Sequence, residues 1–143
     1  MPTYQLTVPA NRLSRQQKAR AAAAITRVHN EVTGAATFFA QVIFQEVPEG
    51  SYFVGGRMLT DDQLFLHGQI RAGRSAPDRR LLLLGLRDAV ALAADAEPVS
   101  VWVYLVDLPA CDMIEYGHIL PEPGDEASWM QSLPAAARTR MLK

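Results

Sequence analysis

An internal repeat is the feature of this sequence that most restricts its fold. When residues 2–48 are laid without gaps on residues 63–109, a constant shift of 61 places "QVIFQEVP" on "WVYLVDLP". The same shift places Ser14 on Ser75, each just ahead of a helical pattern, where a hydroxyl can cap the first turn. Two similar units in one chain predict a fold in which both units bury equivalent faces.

Each copy has the pattern of a strand, a loop, a helix and a second strand. In the first copy an alternating run, "PTYQLTV", precedes apolar residues at helical spacing, and Gly34 follows as a helix stop. In the second copy Pro77 lies near the helix start, which its fixed φ permits. A strand–helix–strand crossover makes its two strands parallel. The sequence therefore predicts an α/β fold, an α+β two-layer sandwich with a four-stranded mixed sheet and both helices on one face.

The sequence predicts one domain over residues 1–143, made of units at about 2–48 and 63–109 and a tail, 110–143. In the tail, "ACDMIEYGHIL" predicts a turn and a short strand, "PEPGDEASWMQSL" a turn and a short helix, and "PAAARTRMLK" a terminal helix. We expect this tail to cover a neighbouring subunit or a pocket.

One face of the predicted sheet has no covering layer. Segments such as "FFAQVIF" and "VWVYLV" carry apolar residues on both sides, whereas a single layer of helices covers only one side. An uncovered apolar face of this size indicates oligomerisation.

Composition excludes several classes of protein. With 143 residues, of which 49% are hydrophobic and 20% charged, the chain can bury a substantial core. The net charge of -1, without long blocks of one sign, argues against nucleic-acid or anionic-membrane binding and leaves small molecules as partners. A single cysteine, Cys111, excludes an intramolecular disulfide and favours a reducing compartment. Because apolar runs fall short of the roughly 20 residues that span a bilayer, we expect a cytoplasmic protein.

Two arginines are candidates for binding an anion. Arg71 and Arg74 follow the third predicted strand, beside a helix N-terminus, and could converge on a carboxylate. Their spacing alone equally fits two solvated surface residues. Their location favours binding, since ligands of open α/β sheets gather at the carboxyl ends of strands.

Four further residues could take part in chemistry, although each has an ordinary structural interpretation. Glu115 fits a general base or an exposed turn residue, and His29 a ligand or a packed residue at the border of a helix. Tyr104 fits a site residue or a core or interface position. Pro2 fits the first residue of an edge strand or, after removal of Met1, a titratable secondary amine. The sequence has no spacing typical of metal ligands and no phosphate loop.

Taken together, these residues resemble the tautomerase superfamily, whose members use an amino-terminal proline. The segments "AITRVHNEVTG", "HGQIRAGRSA" and "WVYLVDLPACDMIEYGHILPEPGDEASW" resemble, more narrowly, the cis-3-chloroacrylic acid dehalogenase family. The similarity extends to about Pro134. It implies a site formed by Pro2, His29, Arg71, Arg74, Tyr104 and Glu115, a homotrimer, and no cofactor or metal.

The resemblance also implies a mechanism, the addition of water to a cis-3-haloacrylate. Arg71 and Arg74, aided by His29, would hold the carboxylate, which makes carbon 3 electrophilic. Glu115 with Tyr104 would activate water, and protonated Pro2 would deliver a proton to carbon 2. The halohydrin would collapse to malonate semialdehyde and halide.

Two other functions fit the same sequence. One is enol–keto tautomerisation, of the phenylpyruvate or 4-oxalocrotonate type, with neutral Pro2 as the base. The other is a non-catalytic ligand-binding α/β module in which Pro2 only starts a strand. We expect "TGAATFFAQ" at 33–41 and "PEGSYFVGGRMLTDDQ" at 48–63 to line or close the site.

Overall fold

The computed structural model describes residues 2–142. Its elements, in chain order, are β1 (Thr3–Pro9), α1 (Arg15–Thr33), β2 (Gln41–Val47), β3 (Phe53–Val54), β4 (Arg57–Met58), β5 (Leu64–Arg71), α2 (Ala76–Ala94), β6 (Val101–Leu108), β7 (Ile114–Glu115), β8 (His118–Ile119), α3 (Glu126–Ser132) and α4 (Ala135–Met141). No helix within residues 2–142 has the length and apolar character needed to cross a membrane.

The two long helices begin and end as the repeat predicts. Ser14 and Ser75 each accept a hydrogen bond, 3.2 Å long, from the backbone amide three residues later. Each helix has 19 residues and ends at a left-handed residue, Gly34 with φ 70° and Asp95 with φ 53°. The predicted N-caps and the Gly34 stop are confirmed, and the equivalent helix boundaries lie 61 residues apart.

The four long strands form one mixed sheet in the order β2-β1-β5-β6. β1 pairs with β2 and β5 pairs with β6 in parallel, whereas β1 and β5, which join the two units, are antiparallel. The predicted sheet and two-layer architecture are confirmed.

The core lies between this sheet and the two helices. Alternate residues of β1, Tyr4, Leu6 and Val8, are fully buried against the inner faces of α1 and α2. The other face of the sheet is open, as predicted, and exposes apolar side chains on β2 and β6: Ile43, Trp102, Tyr104 and Val106.

The region after β6 differs from the predicted turn and short strand. It forms a two-stranded hairpin, β7–β8, which lies 61 residues beyond the matching hairpin β3–β4. The two turns share their backbone conformation, since residues 55 and 56 have φ values of 61° and 75° and residues 116 and 117 have 52° and 85°. Paired positive φ values are typical of two-residue hairpin turns. The structural repeat therefore extends beyond Pro109 to residue 119.

The tail folds back on its own chain, with helices α3 and α4 where the sequence indicates them. It builds a second, smaller core in which Phe39, Ala110 and Leu120 are buried and Trp129 packs against them. Trp129 also donates from Nε1 to the carbonyl oxygen of Ile119, at 2.8 Å. This second core closes one edge of the main sheet.

Candidate active site

Pro2 and Thr3 lie beside the start of β2 and the end of β5, at the edge of the sheet that the tail covers. Thr3 pairs with Gln41 and with Gln69, so the start of β1 lies beside the start of β2 and the end of β5. Pro2 is buried there, and its carbonyl oxygen accepts a hydrogen bond from the Gln41 amide at 3.0 Å. The register therefore brings Pro2 next to the last residues of β5, which include Arg71.

His29 lies on the buried face of α1 and contacts a tyrosine that the sequence does not mark as special. The Tyr4 hydroxyl lies 2.7 Å from His29 Nδ1, and the two rings meet edge to face. Gly68, the partner of Tyr4 in β5, makes room for this ring, because a Cβ there would lie 2.5 Å from Tyr4 Cε1. An alanine at position 68 would displace the tyrosine ring.

The protonation of this pair follows from its environment. Burial, reinforced by the positive charge of Arg74, lowers the pKa of His29 to about 4, so the imidazole is neutral at pH 7. Burial also raises the pKa of the Tyr4 hydroxyl, which keeps its proton. We assign that hydroxyl as the donor to Nδ1, which leaves the imidazole proton on Nε2, where it can be donated to an anion.

Substitution of Tyr4 by phenylalanine tests this assignment. Wild-type protein is expected to show the Nε2–H tautomer of His29 in ¹⁵N NMR spectra, and Tyr4→Phe a mixture of tautomers. The free energy of unfolding should fall by about 1–2 kcal/mol, because a buried acceptor loses its donor. Tyr52→Phe, at the opposite edge of the sheet, is the control. An unchanged tautomer in Tyr4→Phe would contradict the role of the hydroxyl.

Arg71 is almost fully buried, with 3% of its surface exposed. Its Nη1 donates to the carbonyl oxygen of Pro121 at 2.8 Å, and its Nη2 forms an ion pair with Glu126 of α3. Its Nε is buried and has no hydrogen-bond partner among residues 2–142. A buried donor without a partner is costly in a protein interior and is a natural contact for a ligand oxygen.

Arg74 lies beside the end of α1 and shares a cleft with Arg71. Its Nη1 donates to the carbonyl oxygen of Thr33 at 2.9 Å. Burial and the like charge of Arg71 lower the pKa of Arg74. The cleft has a volume of about 430 Å³, and its lining includes both arginines, Glu126 and Met130. Two cations beside one carboxylate make this cleft suitable for an anion.

Glu115 lies in a second cleft. The hairpin β7–β8 carries it into a space of about 970 Å³ that also borders Thr3, Asp112 and Arg140. Phe39 lines both this cleft and the arginine cleft, so the two spaces are neighbours. The chain therefore brings the anion-binding and the acidic groups to one edge but into separate clefts.

Tyr104 is not part of this edge. It lies in β6 opposite His67 and four residues before Leu108, which borders the Glu115 cleft. That separation corresponds to roughly 13 Å along the strand. The Tyr104 side chain is 56% exposed on the open face of the sheet, where its ring contacts Phe65 edge to face.

Within one chain, one of the two predicted loops lies at the clefts and the other does not. Residues 33–41 border both clefts. The segment 48–63 forms the hairpin β3–β4 at the opposite edge of the sheet, beside Pro9 and Val47, and lines neither of the two clefts. Within one chain this segment is remote from Pro2, because β1 and β2 run from the Pro2 edge of the sheet to the opposite edge.

Nothing in the sequence pattern indicates that Tyr4, Glu126 and Arg140 belong to this edge. Tyr4 looks like any inward residue of an alternating strand, and Glu126 like an ordinary residue in the first turn of a helix. No group of three or more histidine, cysteine, aspartate or glutamate side chains within residues 2–142 is arranged to hold a metal ion.

Comparisons with known proteins agree with this architecture. The family model Tautomerase_3, described as "Putative oxalocrotonate tautomerase enzyme", matches residues 1–132, and the chain belongs to that family and thus to the tautomerase superfamily. Its fold is the tautomerase fold. No curated protein sequence matches the chain.

Several solved structures are similar to this chain. The crystal structure of N1, a member of the cis-3-chloroacrylic acid dehalogenase family, is 31% identical over 98% of both chains, with a TM-score of 0.93. Native Ps01740 is 32% identical, with a TM-score of 0.74 over 79% of this chain and 99% of its own. A fused 4-OT described as an asymmetric trimer shares the fold at 21% identity, with a TM-score of 0.76 over 82% of this chain and 94% of its own.

Proposed function

We propose that this protein is a cofactor-independent hydratase of unsaturated carboxylates that acts on cis-3-haloacrylates as a dehalogenase. The observation that carries the proposal is the meeting of Pro2, the arginine cleft and the Glu115 cleft at one covered edge of the sheet. Addition of water to a conjugated unsaturated carboxylate requires a general acid, a general base and a site that binds the carboxylate. The candidates for all three roles lie at this edge.

In the proposed reaction the arginine cleft holds the substrate carboxylate. Arg74 and the unpartnered Nε of Arg71 donate to its oxygens, and His29 donates from Nε2. Electron density drawn toward the carboxylate leaves carbon 3 electrophilic. These groups are already oriented by the protein, so little reorganisation accompanies the reaction.

Glu115 then takes a proton from a water molecule whose oxygen bonds to carbon 3. Protonated Pro2 gives its proton to carbon 2, which leaves 3-halo-3-hydroxypropanoate. Loss of the halide and of the hydroxyl proton yields malonate semialdehyde. The role of Pro2 requires removal of Met1, which lies outside the described residues.

Tautomerisation is the second candidate, and the cations near Pro2 favour it. Burial and a neighbouring cation both disfavour the charged form of an amine, and a neutral proline is a base. The same clefts could then move a proton between the oxygen and carbon of an enol.

Assays on three substrates separate these functions. Met-free protein would be incubated with cis-3-chloroacrylate, propiolate and phenylenolpyruvate, and the release of halide, semialdehyde and ketone measured. Hydration of the first two acids supports the proposal. Conversion of phenylenolpyruvate alone would assign the protein as a tautomerase, and binding of these acids without conversion would favour the non-catalytic ligand-binding module.

We also propose that the site is completed in a homotrimer. Tyr104 lies on the open apolar face, away from both clefts, so it can join a site only where that face meets another subunit. Fused 4-OT relatives of the same fold are described as trimers. A cytoplasmic location, inferred from the single cysteine, stays a prediction.

Charge introduced on the open face should separate the subunits. Val106→Glu places a carboxylate among apolar side chains, and we expect a monomer in light scattering with hydration reduced about 100-fold. Leu92→Glu, at an 80% exposed position on α2, is the matched control and should stay trimeric. A fully active Val106→Glu monomer would contradict the shared site.

A further inference from the structure

The ion pair between Arg71 and Glu126 has a geometry that a surface salt bridge lacks. Arg71 is buried, and its two terminal nitrogens are taken by the Pro121 carbonyl and by Glu126. The second oxygen of Glu126 accepts from the Gly124 amide at 2.9 Å, which fixes the carboxylate. The hydrogen bond from Arg71 lowers the pKa of Glu126, so this carboxylate is charged at neutral pH.

The fixed carboxylate of Glu126 lowers the net positive charge of the arginine cleft. Arg71, Arg74 and Glu126 line one cleft, and their charges sum to one positive unit. A protonated Pro2 and an ionised Glu115 at the same edge would have opposite charges and leave this sum unchanged. The remaining donors suit one carboxylate group. They are Arg71 Nε and the nitrogens of Arg74 other than Nη1, which is bonded to the Thr33 carbonyl oxygen.

We propose that Glu126 determines substrate specificity by setting the charge of the arginine cleft, so that the cleft selects monocarboxylates over dicarboxylates. The proposal rests on the proposed function, since it assigns the cleft to the substrate carboxylate. Without Glu126 the cleft would have two uncompensated cations and would favour a dianion. With Glu126 in place, a second carboxylate has no cation left to balance it and meets a negative charge.

This assignment distinguishes between the candidate reactions. A cis-3-haloacrylate and phenylenolpyruvate each carry one carboxylate, whereas 4-oxalocrotonate carries two. Glu126 therefore favours the first two acids as substrates of this chain.

Direct binding of two matched acids tests the proposal without any turnover. Isocrotonate and maleate share a cis double bond and differ in having one carboxylate and two. Their dissociation constants would be measured by calorimetry at low salt and about pH 8, where both acids are fully ionised. Wild-type protein should bind isocrotonate more tightly. Glu126→Gln should shift the ratio of the two constants about tenfold toward maleate.

Two further variants distinguish an effect of the Glu126 charge from an effect of its structural support of Arg71. Glu122→Gln removes an exposed carboxylate of the same segment and should leave the ratio unchanged. Met130→Glu, added to Glu126→Gln, returns a negative charge to the cleft and should restore the wild-type ratio. Tryptophan fluorescence, compared with wild type, reports whether the tail stays folded in each variant, because Trp129 lies in the tail and the other tryptophan, Trp102, lies in β6.

The outcomes are distinct. A shifted ratio that Met130→Glu reverses supports the proposal, even if no acid is turned over and the proposed reaction fails. An unchanged ratio in folded Glu126→Gln overturns it. Equal weakening of both acids, with no reversal, also overturns it and assigns Glu126 to the support of Arg71 alone.

Discussion

Substitution of Pro2 by alanine is expected to lower kcat/KM for every activity of this protein about 1,000-fold, within the range that a general acid or base contributes. Alanine, like proline, permits removal of Met1, so intact mass can show that both proteins have a free amine. The variant then differs from the wild type in amine basicity and in the fit of a buried residue. Rates on cis-3-chloroacrylate and phenylenolpyruvate provide the measurement.

Pro9→Ala is the matched control, because it removes the proline at the other end of the same strand. It should leave the rates within a few-fold of wild type. If Pro2→Ala is as active as Pro9→Ala, the amine has no chemical role and Pro2 merely starts a strand.

The pH dependence of kcat/KM shows which way the proton moves. If Pro2 is a general acid, its cation is the active form, and the rate falls as the pH rises through its pKa. If Pro2 is a general base, the rate falls as the pH drops through its pKa. We expect the first profile, because the proposed hydration needs the Pro2 cation to protonate carbon 2.

The fold could be predicted because its determinants are local in the sequence. Ser14 and Ser75 cap helices through bonds that reach only three residues, and Gly34 ends a helix by its own conformation. The repeat then duplicates each signal 61 residues later. Apolar residues on both sides of the strands predicted the open face as well, since successive residues of a strand point to opposite faces of the sheet.

Both short hairpins, β3–β4 and β7–β8, were missed, and the hairpin that carries Glu115 also begins its turn with a residue type that is not typical of such turns. Its equivalent contains Gly55 and Gly56, which adopt positive φ without strain, but Tyr116 has a φ of 52°, which a tyrosine rarely adopts. Tertiary contacts offset that strain, because the Tyr116 hydroxyl donates to the Phe38 carbonyl at 2.7 Å. Such a contact spans 78 residues and leaves no local pattern.

The site, too, depends partly on contacts between residues that are far apart in the sequence. Its two arginines, three residues apart after a strand, could be identified from the sequence, whereas Glu126 lies 55 residues from Arg71 and Tyr4 lies 25 from His29. These partners were missed because the residues that orient a site need not be near it in sequence. The separation of Tyr104 from both clefts likewise depends on strand register.

The repeat also indicates why the chain has one candidate site rather than two. At a shift of 61, six residues without an ionisable side chain replace the six candidates: Gln63 for Pro2, Val90 for His29, Ala10 for Arg71, Leu13 for Arg74, Ile43 for Tyr104 and Val54 for Glu115. Because none of these is ionisable, the edge near Tyr52 and Met58 keeps the fold of the site without its chemistry. We therefore expect one active site for each chain.

The second large effect is expected from Glu115→Gln. If Glu115 takes the proton from water, the amide should lower hydration of cis-3-chloroacrylate and propiolate by about 100- to 10,000-fold. Tautomerisation of phenylenolpyruvate needs no water, so its rate should change only a few-fold. One substitution thus separates two reactions that share Pro2 and the arginine cleft.

Asp112→Asn is the control for this experiment, since it removes a carboxylate from the same cleft by the same change of one charge. If both variants lose hydration equally, the effect comes from the charge of the cleft and not from a base at position 115. If Glu115→Gln lowers both reactions to the same extent, Glu115 acts on a step they share, such as substrate binding, and it is not the base of hydration alone. An effect on the protonation of Pro2 would instead move the two rates in opposite directions, because hydration uses the cation and tautomerisation the neutral amine.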